Sequence, residues 1–260
     1  MTRPHVAVVR SGADRNASGM FSEFASVIGA LDEFERGTYA GVRVTFDAGL
    51  YYDPAVGSNW WDYYFAPIAV GDQHATARSV GQALHDRFAN RVESELTRSR
   101  AAALVARYVH VQPSAQTIID QFVNKYWRAH VVGVHYRGTD KFVDAPRVPY
   151  DIVARHIEHH LAEAGPDARI FVATDEAAFV DHMEHSFPGR ILKRDMFRSQ
   201  DGRPIDVVNA DSNHVKGLHA VVDCLLLART HVLIRTASNL GLAATFFNPV
   251  QPVLLLNPER

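Results

Sequence analysis

Short apolar runs alternate along this chain with longer stretches in which apolar positions return every three or four residues. Residues 5–10 read as a buried strand, and residues 19–37 then carry Phe21, Phe24, Val27, Ile28, Leu31 and Phe34 at helical spacing. Residues 42–47 alternate as a strand, and an aromatic patch fills residues 49–65. The stretch from residue 75 to about 127 reads as predominantly helical, broken by Pro113, with Ser114 set to cap the helix that follows. From residue 131 the rhythm becomes regular. Strands are expected at 131–135, 169–174, 190–193, 231–235 and 253–256, and helices at 150–164, 176–187, 218–228 and 238–246. This alternation predicts an α/β protein, a parallel sheet with helices on both faces. A boundary near Trp127 is expected to separate an N-terminal α/β domain (1–127) from a C-terminal one (128–260).

Composition narrows the class of function. The 260 residues suffice for two domains that each bury a core, and 47% hydrophobic with 22% charged residues is ordinary for a soluble globular protein. A formal net charge of −2 argues against nucleic acid as a partner. The single Cys224 stands inside an apolar run and excludes an internal disulfide framework. No signal-peptide pattern opens the chain and no apolar run is long enough to span a bilayer, so a cytoplasmic protein is expected, peripheral membrane association being compatible. The 14 histidines include His156, His159 and His160 on one helical face and His182 with His185 on another, but neither set has zinc-site partners, so no metal is expected.

The densest chemistry lies in residues 131–141, VVGVHYRGTDK. A buried strand runs there into His135, Arg137, Thr139, Asp140 and Lys141, and in α/β sheets ligands bind beyond the carboxyl ends of strands. Arg137 offers a planar fork of donors suited to phosphate oxygens, and Gly138 permits a close backbone approach. The strand at 169–174 ends in Thr174 and Asp175, the latter in the position of a helix N-cap. The strand at 231–235 ends in Thr236, Ser238 and Asn239 where a helix opens, and its exposed amides and dipole favour an anion. Asp223 stands among Val222, Leu225 and Leu226, where a carboxylate needs donors; a guanine edge and a structural arginine both fit.

These segments resemble the three motifs of the fucosyltransferase superfamily, which includes α1,2-, α1,6- and protein O-fucosyltransferases and the nodulation fucosyltransferase. HYRGTDK (135–141) is similar to the first motif, His-x-Arg-Arg-Thr-Asp-Lys, and FVATDE (171–176) to the second. The run from Asp223 through Leu233, Thr236 and Ser238 is similar to the third, with the same spacing from Asp to Ser. The resemblance implies a GT-B fold, two Rossmann-like domains with parallel sheets facing a cleft. It implies GDP-fucose as donor, and an inverting, metal-independent, cofactor-free transfer to a glycan or glycoconjugate hydroxyl. Carried over by position, Arg137 binds the β-phosphate and stabilises departing GDP. His135 and Asp223 contact guanine or hold its loop, and Ser238 with Asn239 binds phosphate. Thr139, Asp140, Lys141, Thr174 and Asp175 complete the donor side.

The family's second arginine is Gly138 here, with Lys141, Lys216 and Arg235 as candidate replacements. That departure leaves two alternatives open: a glycosyltransferase using another GDP-sugar, and a non-catalytic GDP-binding module. Phosphoryl transfer is disfavoured because no Gly-rich Walker loop is present. In the first half, Gly19-Met20-Phe21 resembles the Gly-x-Phe loop that the superfamily places at its interdomain cleft, which makes Gly19 and Phe21 substrate-side candidates. Glu23, with Asp47 as the other choice, is the candidate general base for the acceptor hydroxyl. A solvated glutamate on an amphipathic helix is the plain alternative. The aromatic patch either stacks on a sugar acceptor or packs the domain core.

Overall fold

The computed structural model describes residues 5–10, 19–80, 95–127, 130–139 and 145–257. The chain divides into two compact units, Met1–Thr117 with Asp211–Val221, and Ile118–Ala210 with Val222–Arg260. The units divide at Thr117, within about ten residues of Trp127, and a later segment, Asp211–Val221, is counted with the first unit. Local packing explains that return. The Tyr64 hydroxyl donates to His214 O at 2.8 Å and the two rings stack, while Asn213 Nδ2 donates to Tyr52 O at 3.0 Å. Gly217 lets this segment lie against Tyr64, whose Cζ would stand 2.6 Å from a Cβ there.

In the first unit β1 (Val6–Val9), α1 (Met20–Glu35), β2 (Gly41–Val44), the one-turn α2 (Trp61–Tyr64), β3 (Ala69–Gly71), β4 (Ala77–Val80) and α3 (Glu95–Tyr108) follow in order. The sheet order is β3-β2-β1-β4, with β1 parallel to both β2 and β4 and β3 antiparallel to β2. β4 falls where helix was expected. Its residues Ala77, Arg78 and Ser79 are exposed, so this edge strand carries no apolar face to betray it. The aromatic patch packs the core: Phe46 stacks on Trp60 at 4.5 Å, and Phe24 and Phe65 close on Trp61. The buried Asp32 accepts from Arg36 Nε at 2.9 Å and Arg100 Nε at 2.6 Å, tying α1 to α3.

α4 (Pro113–Tyr126) begins at its proline, so Ser114 lies in the first turn instead of capping it. After it come β5 (Val131–Tyr136), α5 (Tyr150–Ala164), β6 (Arg169–Thr174), α6 (Ala177–Ser186), β7 (Ile191–Leu192), α7 (Ile205–Val208), α8 (Asn213–Leu227), β8 (Val232–Arg235), α9 (Asn239–Phe247) and β9 (Val253–Leu255). The second sheet is wholly parallel in the order β7-β6-β5-β8-β9. Every residue of β5 is buried, which is why the strand reads as a continuous apolar run. Strand order reverses between β5 and β8, and chains leaving their carboxyl ends diverge to open a crevice there. Among the described residues no helix is long and apolar enough to cross a membrane.

Candidate functional site

At the carboxyl end of β5 the backbone is pinned from both neighbouring strands. Arg137 N–H donates to Thr236 Oγ1 at 2.9 Å, and Thr236 N–H returns to His135 O at 3.0 Å. From β6, Asp175 receives Arg137 Nε at 3.1 Å, Gly138 N–H at 3.1 Å and the Thr139 hydroxyl at 2.7 Å. Asp175 is therefore not the helix cap its position suggests. The residue before α6 is Glu176, and no side chain caps that helix. Asp175 instead fixes the guanidinium of Arg137 by one edge, and it is itself almost fully buried. Thr174 turns back to its own chain, accepting Glu176 N–H at 3.2 Å.

Beside β8 the strand ends meet a helix at close range. His135 and Arg235 are register partners on adjacent parallel strands, both buried. Gly241, in the first turn of α9, lies over them; a Cβ there would stand 2.8 Å from His135 Cδ2. Glycine is what lets the helix N-terminus reach the strand ends. Ser238 caps α9, its Oγ accepting Leu240 N–H at 3.2 Å, and Asn239 opens the helix. His135 Nδ1 pairs with Ala173 O at 3.2 Å, so the neutral ring donates there and leaves Nε2 as a buried acceptor without a partner. Burial above all, with the charges of Arg137 and Arg235, pushes this imidazole down to about 4, against the opposing pull of Asp175.

The other expected residues fall in several places. Asp140 and Lys141 lie outside the described residues. Asp223, on the part of α8 counted with the second unit, is buried and meets Arg194 Nη1 at 3.3 Å. Arg194 is thus a structural arginine of the kind that the burial of Asp223 calls for. The next residue, Cys224, is a buried thiol whose Sγ–H points to Leu240 O at 3.7 Å, so α8 reaches the first turn of α9. Gly19, Phe21 and Glu23 belong to the first unit. Gly19 precedes α1 in extended conformation with open space at its Cβ position. Phe21 packs in the core against Phe24 at 5.7 Å, and Glu23 is buried, not solvated. Asp47 is exposed. Among the described residues no group of three metal-ligating side chains is drawn together.

One cation escaped the sequence reading. Arg147, just before α5, donates from Nη2 to Glu176 Oε1 at 2.6 Å and to the Tyr150 hydroxyl at 3.1 Å. Pro146 O, next to it, accepts from Asn257 Nδ2 at 2.6 Å, and Asn257 Oδ1 accepts Ala237 N–H at 2.7 Å. Asn257 thereby ties the Arg147 segment to the residue preceding the Ser238 cap. No periodicity marks such a loop; its only signal was a lone arginine shortly after the first motif.

No protein-family model matches the sequence, and no curated protein matches it either. Solved structures match by fold. NodZ α-1,6-fucosyltransferase soaked with GDP-fucose shares 16% identity over 94% of this chain and 93% of that one, with a TM-score of 0.65. The Se-Met form of the fucosyltransferase NodZ from Bradyrhizobium gives 15% identity, coverages of 97% and 94%, and a TM-score of 0.62. An Arabidopsis thaliana FUT1 mutant in complex with GDP gives 11% identity, coverages of 96% and 70%, and a TM-score of 0.56. The fold is therefore the α/β fold of the GT-B fucosyltransferases.

Proposed function

We propose that this chain is an inverting, metal-independent glycosyltransferase that transfers fucose from GDP-fucose to a glycan hydroxyl. The observation that carries the reading is Arg137, gripped by Asp175 and Thr236 at the strand end beside the capped N-terminus of α9. Departure of GDP builds negative charge on its β-phosphate. A fixed guanidinium and helix-terminal amides stabilise that charge without reorganising, which is what lowers the barrier. Asp175 acts as a positioning residue, holding Arg137 by Nε at the strand end. His135, kept neutral by burial, offers Nε2 as an acceptor to a donor group of the nucleotide. Asp223 and Arg194 form the matching polar pair for the base. Glu23 remains the candidate base that removes the acceptor proton, now as a buried carboxylate of the first unit. The fold neighbours crystallised with GDP or GDP-fucose support the donor assignment.

The test is thermal stabilisation by GDP and GDP-fucose against ADP and UDP, with Arg137→Ala as control, since a ligand bound only by the folded state raises its Tm. A GDP-selective shift that vanishes in the variant is expected, together with fucose transfer or slow hydrolysis of the donor. Equal shifts with all nucleotides, or none, would remove the donor assignment. A GDP shift without any turnover would favour the non-catalytic module.

A further inference from the structure

A side chain at position 138 would require Glu176 to move. A Cβ on Gly138 would run into the Glu176 carboxylate, and Tyr136 Cε1 would stand 2.9 Å away. The Glu176 backbone is held in place, and its carboxylate is held by Arg147. Its N–H is held by Thr174 Oγ1, and on either side the backbone is strapped by Ser199, which donates to Asp175 O at 2.8 Å and accepts from Ala177 N–H at 3.0 Å. The buried carboxylate points at Gly138 with Oε2, which has no hydrogen-bond partner, and takes Arg147 with Oε1. Thus adjacent carboxylates each hold one arginine: Asp175 holds Arg137 and Glu176 holds Arg147. Of the cations expected to replace a second arginine, Lys141 lies outside the described residues, Lys216 belongs to the first unit, and Arg235 is fully buried.

We propose that Arg147 supplies the second guanidinium of the donor diphosphate site, a role that rests on the GDP-sugar reading above. Its two hydrogen bonds both leave from Nη2, to Glu176 and to Tyr150. Beyond these two bonds and the neighbouring Tyr136 hydroxyl the guanidinium meets no further acidic partner among the described residues, and the side chain is 49% exposed. A guanidinium anchored through Nη2 and still half exposed is oriented for an incoming anion at small cost in side-chain entropy. The Asn257 bridge to Ala237 fixes the same segment to the loop that opens α9, the other anion-binding element. The Gly138 departure is in this view a relocation of charge: the cation comes from the loop before α5, and Glu176 occupies the space a side chain at 138 would need.

The test is isothermal titration of the full chain with GDP and with GMP, for the wild type, Arg147→Ala and Arg147→Lys, with unfolding curves run alongside. Loss of a charge-assisted contact to the terminal phosphate should weaken GDP by about tenfold or more in Arg147→Ala and leave GMP nearly unchanged. Arg147→Lys should recover part of the loss, keeping the charge but not the fork. GDP affinity equal to wild type in both variants would overturn the proposal and leave the GDP-sugar reading standing. So would a lower Tm with an unchanged GDP-to-GMP ratio, which would make Arg147 a structural tie for Glu176. A wild type that binds neither nucleotide would sink both. If Arg147→Ala does not fold, the ratio in Arg147→Lys decides.

Discussion

The carboxyl ends of β2 and β5 meet the same demand by different means. After β2, Phe46 stacks on Trp60, and its N–H is satisfied by Asn59 Oδ1 at 2.8 Å, so the strand end is sealed by apolar burial. After β5, Arg137, Gly138 and Thr139 all converge on one buried carboxylate, and the strand end is kept polar and fixed. One end stabilises its unit through area removed from water. The other satisfies polar groups with each other so that the guanidinium of Arg137 is held in place. The two units thus share an alternation of strand and helix yet finish their strands differently, one in an apolar seal and the other in a network of polar groups.

That contrast can be broken by substitution. Trp60→Ala should cost about 3–5 kcal/mol in urea unfolding, through lost burial and the cavity left behind. GDP affinity of the folded fraction should stay at the wild-type value, and a parallel loss of affinity would erase the contrast. Arg137→Ala should reverse the pattern, lowering donor turnover by about 10²–10³-fold, the usual effect of removing one preorganised donor. Its unfolding free energy should change less than that of Trp60→Ala; a larger fall would assign the strand end to stability as well.

Acid should weaken the second unit through its buried imidazole. His135 is pushed down to about 4 by burial, below the ordinary histidine value, so its neutral form stabilises the fold above about pH 6.5. That stability is lost as pH falls from about 6.5 towards 4, because the unfolded chain then binds the proton more readily. A loss of about 2 kcal/mol between pH 7.5 and 5 is expected from this group. His130, pushed down by burial and by the stacked His231, adds in the same direction. Unfolding of His135→Gln across the same range should show a flatter profile, and an unchanged slope would locate the proton uptake elsewhere. The smallest effect concerns Ser238→Ala, which removes the cap of α9 and should cost about 1 kcal/mol. A fall in GDP affinity beyond that expected from fraying would sharpen the case for α9 as an anion site.

Much of this was legible from local pattern. β5, β6, β8 and their helices are buried on regular faces, so periodicity marks them, and the Arg137 and Ser238 positions follow from strand and helix ends. What the sequence could not reveal depends on partners far along the chain. Asp175 looks like an N-cap because any aspartate before a helix does; its grip on Gly138 and Thr139 spans 37 and 36 positions. Arg147 and Glu176 lie 29 positions apart, and nothing local links them. The edge strand β4 was missed because exposed residues show no apolar alternation. The tryptophans read as core or acceptor platform with equal ease, since burial and stacking use the same side chains; here Trp60 and Trp61 are buried.

Asn257 carries a consequence for chemical ageing. Its amide serves as acceptor for Ala237 N–H and donor to Pro146 O at once. Hydrolysis to aspartate would remove the donor and set a carboxylate against a carbonyl oxygen, untying both loops. The usual route to that damage requires attack by the following backbone nitrogen, and residue 258 is proline, which has no N–H to lose. The bridge that joins the loop before α5 to the loop before α9 is therefore placed at a position where an asparagine is slow to decay.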